Sequence, residues 1–263
     1  MTAFWCATDR DVVEVTGPDA LTYLHSQVSN DLRPLQVGQS CWAFLLQPTG
    51  KIDVLLRVTR TADETFVLDT DAGFGDVLLA RVNRFRIRVK AEVSSLDGWR
   101  CVAVRSDEGS PIDPAVVGPG VGPATLVVAG WGGGQDVLVP ADEPALALDG
   151  IDEAAPGRLE AARVAAVWPA MGSEIEPGAT IPAETGIADV AVSFTKGCYP
   201  GQELVERMDS RGSSAPRRLF AVDVAEGAVP GDPLVRDGEV IGTITTVAGG
   251  RGLAYVKRSA IDG

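Results

Sequence analysis

The stretch from Phe194 to Arg218, FTKGCYPGQELVERMDSRGSSAPRR, decides how the rest of the chain is read. It sets one thiol, Cys198, between Lys196-Gly197 and Tyr199-Pro200-Gly201. It then runs into GQELVERM, where Leu204, Val205 and Met208 recur at helical spacing. The spacing predicts a helix that starts just after Cys198. Pro200 suits a first helical turn, and Gly197 and Gly201 allow a positive φ or the close approach of a ligand. A helix N-terminus and a nearby cation both favour the ionised form of a thiol. A free cysteine is commonly a small buried hydrophobe, but these neighbours are polar and turn-forming. Cys198 is therefore the candidate reactive group, with Lys196 as the charge beside it.

Composition bounds what that group serves. A chain of 263 residues, 45% hydrophobic, is long enough for two or three small globular domains. Every apolar run is interrupted well short of a membrane span, and the opening MTAFWCATDR lacks a basic region followed by an apolar one, so neither a standard secretory signal nor a spanning helix is expected. A net charge of −13 and a pI near 4.5 disfavour direct nucleic-acid binding, which depends on neutralising phosphates. Cys6, Cys41, Cys101 and Cys198 are far apart with no CxxC, and His25 is the only histidine, so zinc sites lack ligands. Such a long, cysteine-poor chain points to a reducing cytoplasm.

Along the chain, Asp11 to Val15 reads as a strand, followed by a helix with Ala20, Leu21, Leu24 and Val28 on one face. Asn30-Asp31 closes that helix. Cys41 to Leu46 and Ile52 to Val58 read as strands joined through Gln47-Pro48-Thr49-Gly50-Lys51, Phe66 to Leu68 as another, and Gly75 to Asn83 as a helix. Arg84 to Lys90 alternates strictly and predicts a strand with one basic and one apolar face. Arg100 to Arg105, Ala124 to Val128 and Asp136 to Val139 are further strands. Glu108 to Pro123 and Gly130 to Gly134 are Gly/Pro-rich loops, and Gly132-Gly133-Gly134 lacks the Lys-Ser/Thr of a P-loop. Asp152 to Val167 reads as a helix. Beyond Pro216, short β runs divided by turns suit a small antiparallel barrel. The expected boundaries give segments 1–47, 48–148, 149–214 and 215–263, the first and third forming one discontinuous unit.

The string KGCYPGQE, with Arg211-Gly212 and Arg217-Arg218 after it, closely resembles the signature of the YgfZ-type folate-binding proteins, relatives of the glycine-cleavage T-protein (aminomethyltransferase). The resemblance extends to GPDALTYLHSQVSNDL, the QPTGKI turn, RLEAARVAAVWPAMGSEI, IPAE, GEVIGTITT and GLAYVKRS, and so spans nearly the whole chain. It implies an α+β fold of three subdomains around a central folate-binding channel, with a small C-terminal antiparallel β-barrel. It also implies a tetrahydrofolate-binding accessory factor in iron–sulfur cluster assembly or repair, acting through Cys198 on iron–sulfur client or assembly proteins.

Under that resemblance Gly197, Tyr199, Gly201, Gln202 and Glu203 support the thiol. Asn30, Arg158 and Glu160 face the folate, and Arg84 and Arg86, on the basic strand face, suit a polyglutamate tail. The alternative is a folate-dependent aminomethyl transferase. In the T-protein relatives an acid on the second hairpin strand works on the one-carbon unit. Here Asp53 falls one residue before that position, where Val54 and Leu55 stand, and one residue of offset turns a strand side chain to the other face. A pterin-holding glutamate of those relatives is also missing, with Gln135 and Asp136 as the nearest polar residues. One motif cysteine does not supply the four thiolates of a stably held cluster.

Overall fold

The architecture is organised by one long bent strand, β1 (Ala3–Thr16), which pairs with different partners along its length. The computed structural model describes residues 3–107, 109–117, 125–140, 142–143, 148, 150–210 and 215–261. The predicted Arg211-Gly212 element and residues 108 and 118–123 of the Glu108–Pro123 loop lie outside the described residues. After β1 come α1 (Ala20–Gln27), β2 (Ser40–Leu46), β3 (Ile52–Ala62), β4 (Thr65–Asp71) and α2 (Gly75–Asn83). These are followed by β5 (Glu92–Ser95), β6 (Arg100–Ser106), β7 (Leu126–Ala129), β8 (Gln135–Val139) and β9 (Asp152–Glu153). The chain continues through α3 (Pro156–Ala165), α4 (Ala188–Ala191) and α5 (Gln202–Ser210). It closes with β10 (Arg217–Asp223), β11 (Pro233–Arg236), β12 (Glu239–Ala248) and β13 (Arg251–Lys257).

The first half of β1 pairs with β6, from Ala3↔Ser106 to Asp9↔Arg100, and the second with β4, from Arg10↔Asp71 to Thr16↔Thr65. The sheet runs β2-β3-β4-β1-β6-β8-β7, with β5 and β9 also pairing to β1. At β2 and β3 it is buried on both faces. Ala43, Leu45, Val54, Leu56 and Val58 pack under α1 and α2, whereas Trp42, Phe44, Leu46, Ile52 and Leu55 meet Trp168, Met171 and Tyr199 on the other side. Two-sided burial explains why SCWAFLL and IDVLLRV read as nearly continuous apolar runs. The C-terminal antiparallel sheet, β10-β13-β12-β11, packs Leu219, Leu253 and Tyr255 against Val164 of α3.

Two expected elements differ. Arg84 to Lys90 is not a strand but an exposed turn, with Arg88 at φ 58° and both Phe85 and Ile87 facing water. Alternation specifies a strand only when one face is covered. Here the pairing position on β1 is taken by β5, from Val13↔Ser95 to Thr16↔Glu92. Arg86 instead ties the turn together, its guanidinium donating to Asn83 Oδ1 at 3.0 Å and to the Ala91 carbonyl at 2.7 Å. The helix expected over Asp152 to Val167 is shorter. Residues 152 and 153 form β9 beside β1, and α3 starts at Pro156, whose fixed φ and missing N–H suit a first turn.

Candidate functional site

Cys198 lies exposed on the segment leading into α5, which begins four residues later at Gln202. Its neighbours are anchored while it is not. Tyr199 is buried in the apolar cluster with Trp42, Trp168 and Met171, and Trp42 and Trp168 meet with ring centroids 4.9 Å apart. Lys196 is only 5% exposed. Its ammonium donates to the carbonyls of His25, in the last turn of α1, and of Val28 (2.6 Å) and Asn30 (3.1 Å) just after it, and lies 5.1 Å from the Tyr199 ring centre. The His25 carbonyl is one of the unpaired acceptors of the α1 C-terminus, where a cation is favoured, and those of Val28 and Asn30 belong to the cap and the segment after it. Burial pushes the Lys196 ammonium down to about 8, with Asp31 opposing that shift. The sequence places Lys196 beside the thiol; the structure turns its charge towards α1.

Gly201 fixes the other end of the turn. It has φ 82°, and a Cβ there would meet the Gln47 carbonyl at 2.5 Å, Leu46 Cβ at 2.9 Å and Gly50 Cα at 3.0 Å. Gly50, at φ 82°, packs in turn against Leu204 Cβ, where an added Cβ would come within 2.5 Å. The QPTGK turn and the start of α5 thus dock through two glycines. Gly197 has open space and no positive φ. Gly201→Ala is expected to lose about 3 kcal/mol through strain and backbone overlap, and Gly197→Ala about 0.5 kcal/mol or less. Denaturant midpoints of the two variants check this, and equal losses would remove the docking role of Gly201. Gln202 and Glu203 bond within α5, to Glu206 and Arg207, on its exposed side.

The remaining sequence candidates are spread out. Asn30 is a structural clamp, its amide donating to the carbonyls of Trp42 (2.8 Å) and Val190 (3.0 Å). Arg158 holds Asp107 through two hydrogen bonds and lies over Phe4, 4.3 Å from its ring centre. Arg84 sits on the exposed turn, over Phe85. Asp53 is the unpaired residue of β3 at the register shift opposite Leu45 and Leu46 and is held by Gln47 Nε2 (2.8 Å) and Arg81 Nε (3.0 Å). Both carboxylate oxygens are engaged, and Val54 and Leu55 are buried and apolar.

Glu160 leads to a feature the sequence reading missed. It lines a cavity of about 350 Å³ whose other walls include Arg10, Arg105, Trp131, Asp136 and Arg163. Behind it lies a buried chain of charges. Arg57, fully buried, bridges Asp69 by two hydrogen bonds of 2.9 Å and Asp136 at 2.7 Å, while Arg105 reaches Asp136 at 2.8 Å. Arg10 pairs with Asp69 (2.7 Å) and Asp71 (2.5 Å). Three guanidinium groups therefore face three carboxylates, which is how charges survive burial. Facing Arg105 and Arg57 holds the Asp136 carboxyl well below its usual range against the opposing effect of burial. Arg105 stacks on Trp131, 4.0 Å from the ring centre, and its buried Nε has no hydrogen-bond partner. Trp131 also packs on the cluster that holds Tyr199, so cavity wall and thiol anchor share one apolar body. A lone Arg57 inside the apolar run VLLRV was the available sequence signal.

The fold and these anchors define a T-protein-like protein. The glycine cleavage system aminomethyltransferase T from Bartonella henselae superposes with a TM-score of 0.79 at 18% identity, covering 98% of this chain and 79% of that one. The α+β fold expected from the sequence is thus the fold found. Residues 217–263 match the family model "CAF17, C-terminal beta-barrel domain". The "tRNA-modifying protein YgfZ" of Edwardsiella ictaluri is 30% identical over 226 residues, 79% of this chain and 67% of that protein. The "Iron-sulfur cluster assembly factor IBA57, mitochondrial" of Homo sapiens is 27% identical over 291 residues, 97% of this chain and 77% of the relative. The chain belongs to the YgfZ-type family of T-protein-like proteins.

Proposed function

We propose that this protein is a reduced-folate-binding accessory factor in iron–sulfur cluster assembly or repair and acts through Cys198 on client or assembly proteins. The observation that carries the reading is the Cys198 turn. An exposed thiol is flanked by a buried lysine, a buried tyrosine and a glycine that admits no side chain. Such a site presents one thiol in a fixed place. Among the described residues no group of three or more His, Cys, Asp or Glu side chains is placed to hold a metal, and a held cluster normally takes four thiolates. Cys198 therefore serves iron–sulfur chemistry shared with another protein. The name of the human relative agrees with that role. Free cysteines in the chain suit a reducing compartment such as the cytoplasm. Among the described residues no helix is long and apolar enough to cross a membrane.

A tetrahydrofolate fits the cavity chemistry. Its pterin presents an N–H edge beside a carbonyl. Glu160, held by Arg163 through both oxygens at 3.0 and 2.7 Å, is half-exposed and keeps lone pairs for the former, while Arg105, whose buried Nε lacks a partner, would have to turn towards the cavity to donate to the latter. Bound there, the folate would supply a one-carbon carrier or a reductant. Asp136 is no free pterin acid, since Arg57 and Arg105 occupy it. The exposed turn at Arg84 and Arg86 has lost the alternating basic face on which tail recognition was expected. Aminomethyl transfer is the weaker reading, because the Asp53 carboxylate is tied to Gln47 and Arg81.

Calorimetry with tetrahydrofolate up to about 1 mM is expected to give saturable heat, and Glu160→Gln to weaken binding about tenfold. Arg163 keeps its Glu174 partner in that variant, so the fold has its anchor. No heat with the native protein would end the folate reading. The thiol reading is tested separately. Cells carrying only Cys198→Ser should show the iron–sulfur enzyme deficit of cells lacking the protein, and full activity would end that reading.

A further inference from the structure

One side of α2 is open to water and carries opposite charge at its two ends. The N-terminal end rims a cavity of about 440 Å³ whose walls include Asp9, Asp11, Asp76 and Asp97 beside Leu79 and Trp99. Arg10 also lines it, but its guanidinium is already taken by Asp69 and Asp71. Past the C-terminal end, the turn carries Arg84, Arg88 and Lys90, with Glu92 the next carboxylate in sequence. Among the described residues none of those four aspartates is ion-paired, and neither is any of those three cations. Asp11 accepts from the Gly75 N–H and Asp97 from the Ser95 hydroxyl; Arg84 lies over Phe85, and Lys90 is held only through its backbone, by Asp19. All of these residues belong to the unbroken described stretch 3–107. Between the charged ends the exposed side is apolar, with Val77 and Ala80 on the helix and then Phe85 and Ile87, the last 76% exposed.

We infer that two copies of the chain associate along this face, their α2 helices antiparallel about a twofold axis at Ala80, with Asp76 of each copy against Arg84 of the other. Asp76, Ala80 and Arg84 succeed one another at four-residue spacing and so share one side of the helix, which Arg84 continues with helical φ and ψ. At 1.5 Å per residue the two charges stand about 12 Å apart, equally far from Ala80, so reversing one copy brings each onto its opposite. The small Ala80 side chain lets the helices approach at the axis. Ile87 lies seven residues after Ala80 and Gly73, on the cavity wall, seven before it, which carries the apolar turn of one copy towards the acidic cavity of the other. The pattern also selects the occupant. An acidic partner or an anionic lipid surface drawn to the turn would meet the aspartates within about a Debye length, and a basic partner drawn to the aspartates would meet the turn. A face that is bipolar over one short helix is complementary to itself reversed, as a twofold contact requires. At a net charge of −13 two copies repel in most orientations, so local complementarity fixes which face they use. Neither folate nor Cys198 enters the inference.

Sedimentation of the full chain at about 50 mM salt is expected to show a monomer–dimer equilibrium that is half complete below about 1 mM and weakens at least about fivefold at about 500 mM salt. Arg84→Glu and Asp76→Lys, both at exposed positions, should each weaken it at least about fivefold with melting unchanged, because the twofold axis doubles every mismatch. Arg236→Glu on β11, the same change in charge as Arg84→Glu, should leave it within about twofold. The decisive sample is an equal mixture of Arg84→Glu and Asp76→Lys. In the mixed dimer the introduced lysine meets the introduced glutamate at one contact, and the native Arg84 and Asp76 meet at the other. The mixture should therefore associate within about twofold of the parent although neither variant does so alone. A chain that stays monomeric to about 1 mM would overturn the inference, as would single variants that associate like the parent, or a mixture no better than its components. Growth beyond a dimer would overturn it too, since a twofold contact closes on itself.

Discussion

Brief alkylation of the folded protein at pH 7 labels Cys198 first, and by a wide margin. Cys6 and Cys101 are buried and Cys41 is half-buried, while Cys198 is exposed. Burial raises all three competing thiols. For Cys6 the charge of Glu153 adds to it, and for Cys101 that of Asp136. Cys41 is pushed from an ordinary 9.0 up to about 12, mainly by burial and against the pull of Lys196. Three pKa units mean about a thousandfold less thiolate at neutral pH, and the thiolate is the species that reacts. Access adds to the ratio. Peptide mass spectrometry after a timed iodoacetamide pulse is expected to find Cys198 modified and the other three essentially unmodified until the protein is unfolded. Comparable labelling of Cys41 would show the turn to be less exposed, or β2 less protected, than described. Cys198→Ser should melt like the parent, because the thiol makes no part of the core.

The reason for that selectivity differs from the one the sequence suggests. Adjacency to Lys196 and to a helix start predicts a charge-stabilised thiol, yet the lysine points at carbonyls as far as 171 residues away in sequence, and the helix begins later. Spacing along a chain tells which residues share a face of one element. It does not tell which way a side chain in an irregular segment turns. The strands under two-sided burial and the helices with one covered face were legible for the opposite reason: in β2, β3 and β4, and on the inner faces of α1 and α2, residue type is dictated by packing. Alternation in Arg84 to Lys90 misled because its apolar positions Phe85 and Ile87 stay exposed and only Val89 packs on the core. The buried ion chain was not legible as a unit, since Arg57 meets Asp69 at a separation of 12 residues and Asp136 at 79. Only the fold joins them. The motif glycines divide in the same way: Gly201 is required by backbone geometry and by Gly50, and Gly197 by neither.

Lys196→Met is the variant that separates the two accounts of the thiol motif. A lysine that held the thiolate by charge could be replaced with little loss of stability. A lysine that closes α1 could not, since its removal leaves the carbonyls of His25, Val28 and Asn30 without their donor. The expected loss is about 3 kcal/mol, the scale of buried acceptors stripped of a charged partner. Methionine preserves the packing volume, so the loss reports the ammonium. Cys198 alkylation in the still-folded variant is expected to change by less than about twofold, given that the charge was never aimed at the sulfur. The pH dependence gives a second readout. Lys196 is depressed from 10.5 to about 8, chiefly by burial. Between those values the unfolded chain therefore binds the proton more tightly than the folded one, and stability rises with pH. The contribution is fully present above 10.5 and is lost as pH falls through about 8. The native protein should accordingly gain on Lys196→Met by about 2 kcal/mol between roughly pH 8 and 10. If urea titrations show the gap closing over that range, the three carbonyls outweigh burial and the site prefers the ammonium. If the variant melts with the parent, Lys196 does not hold α1 to the Cys198 turn.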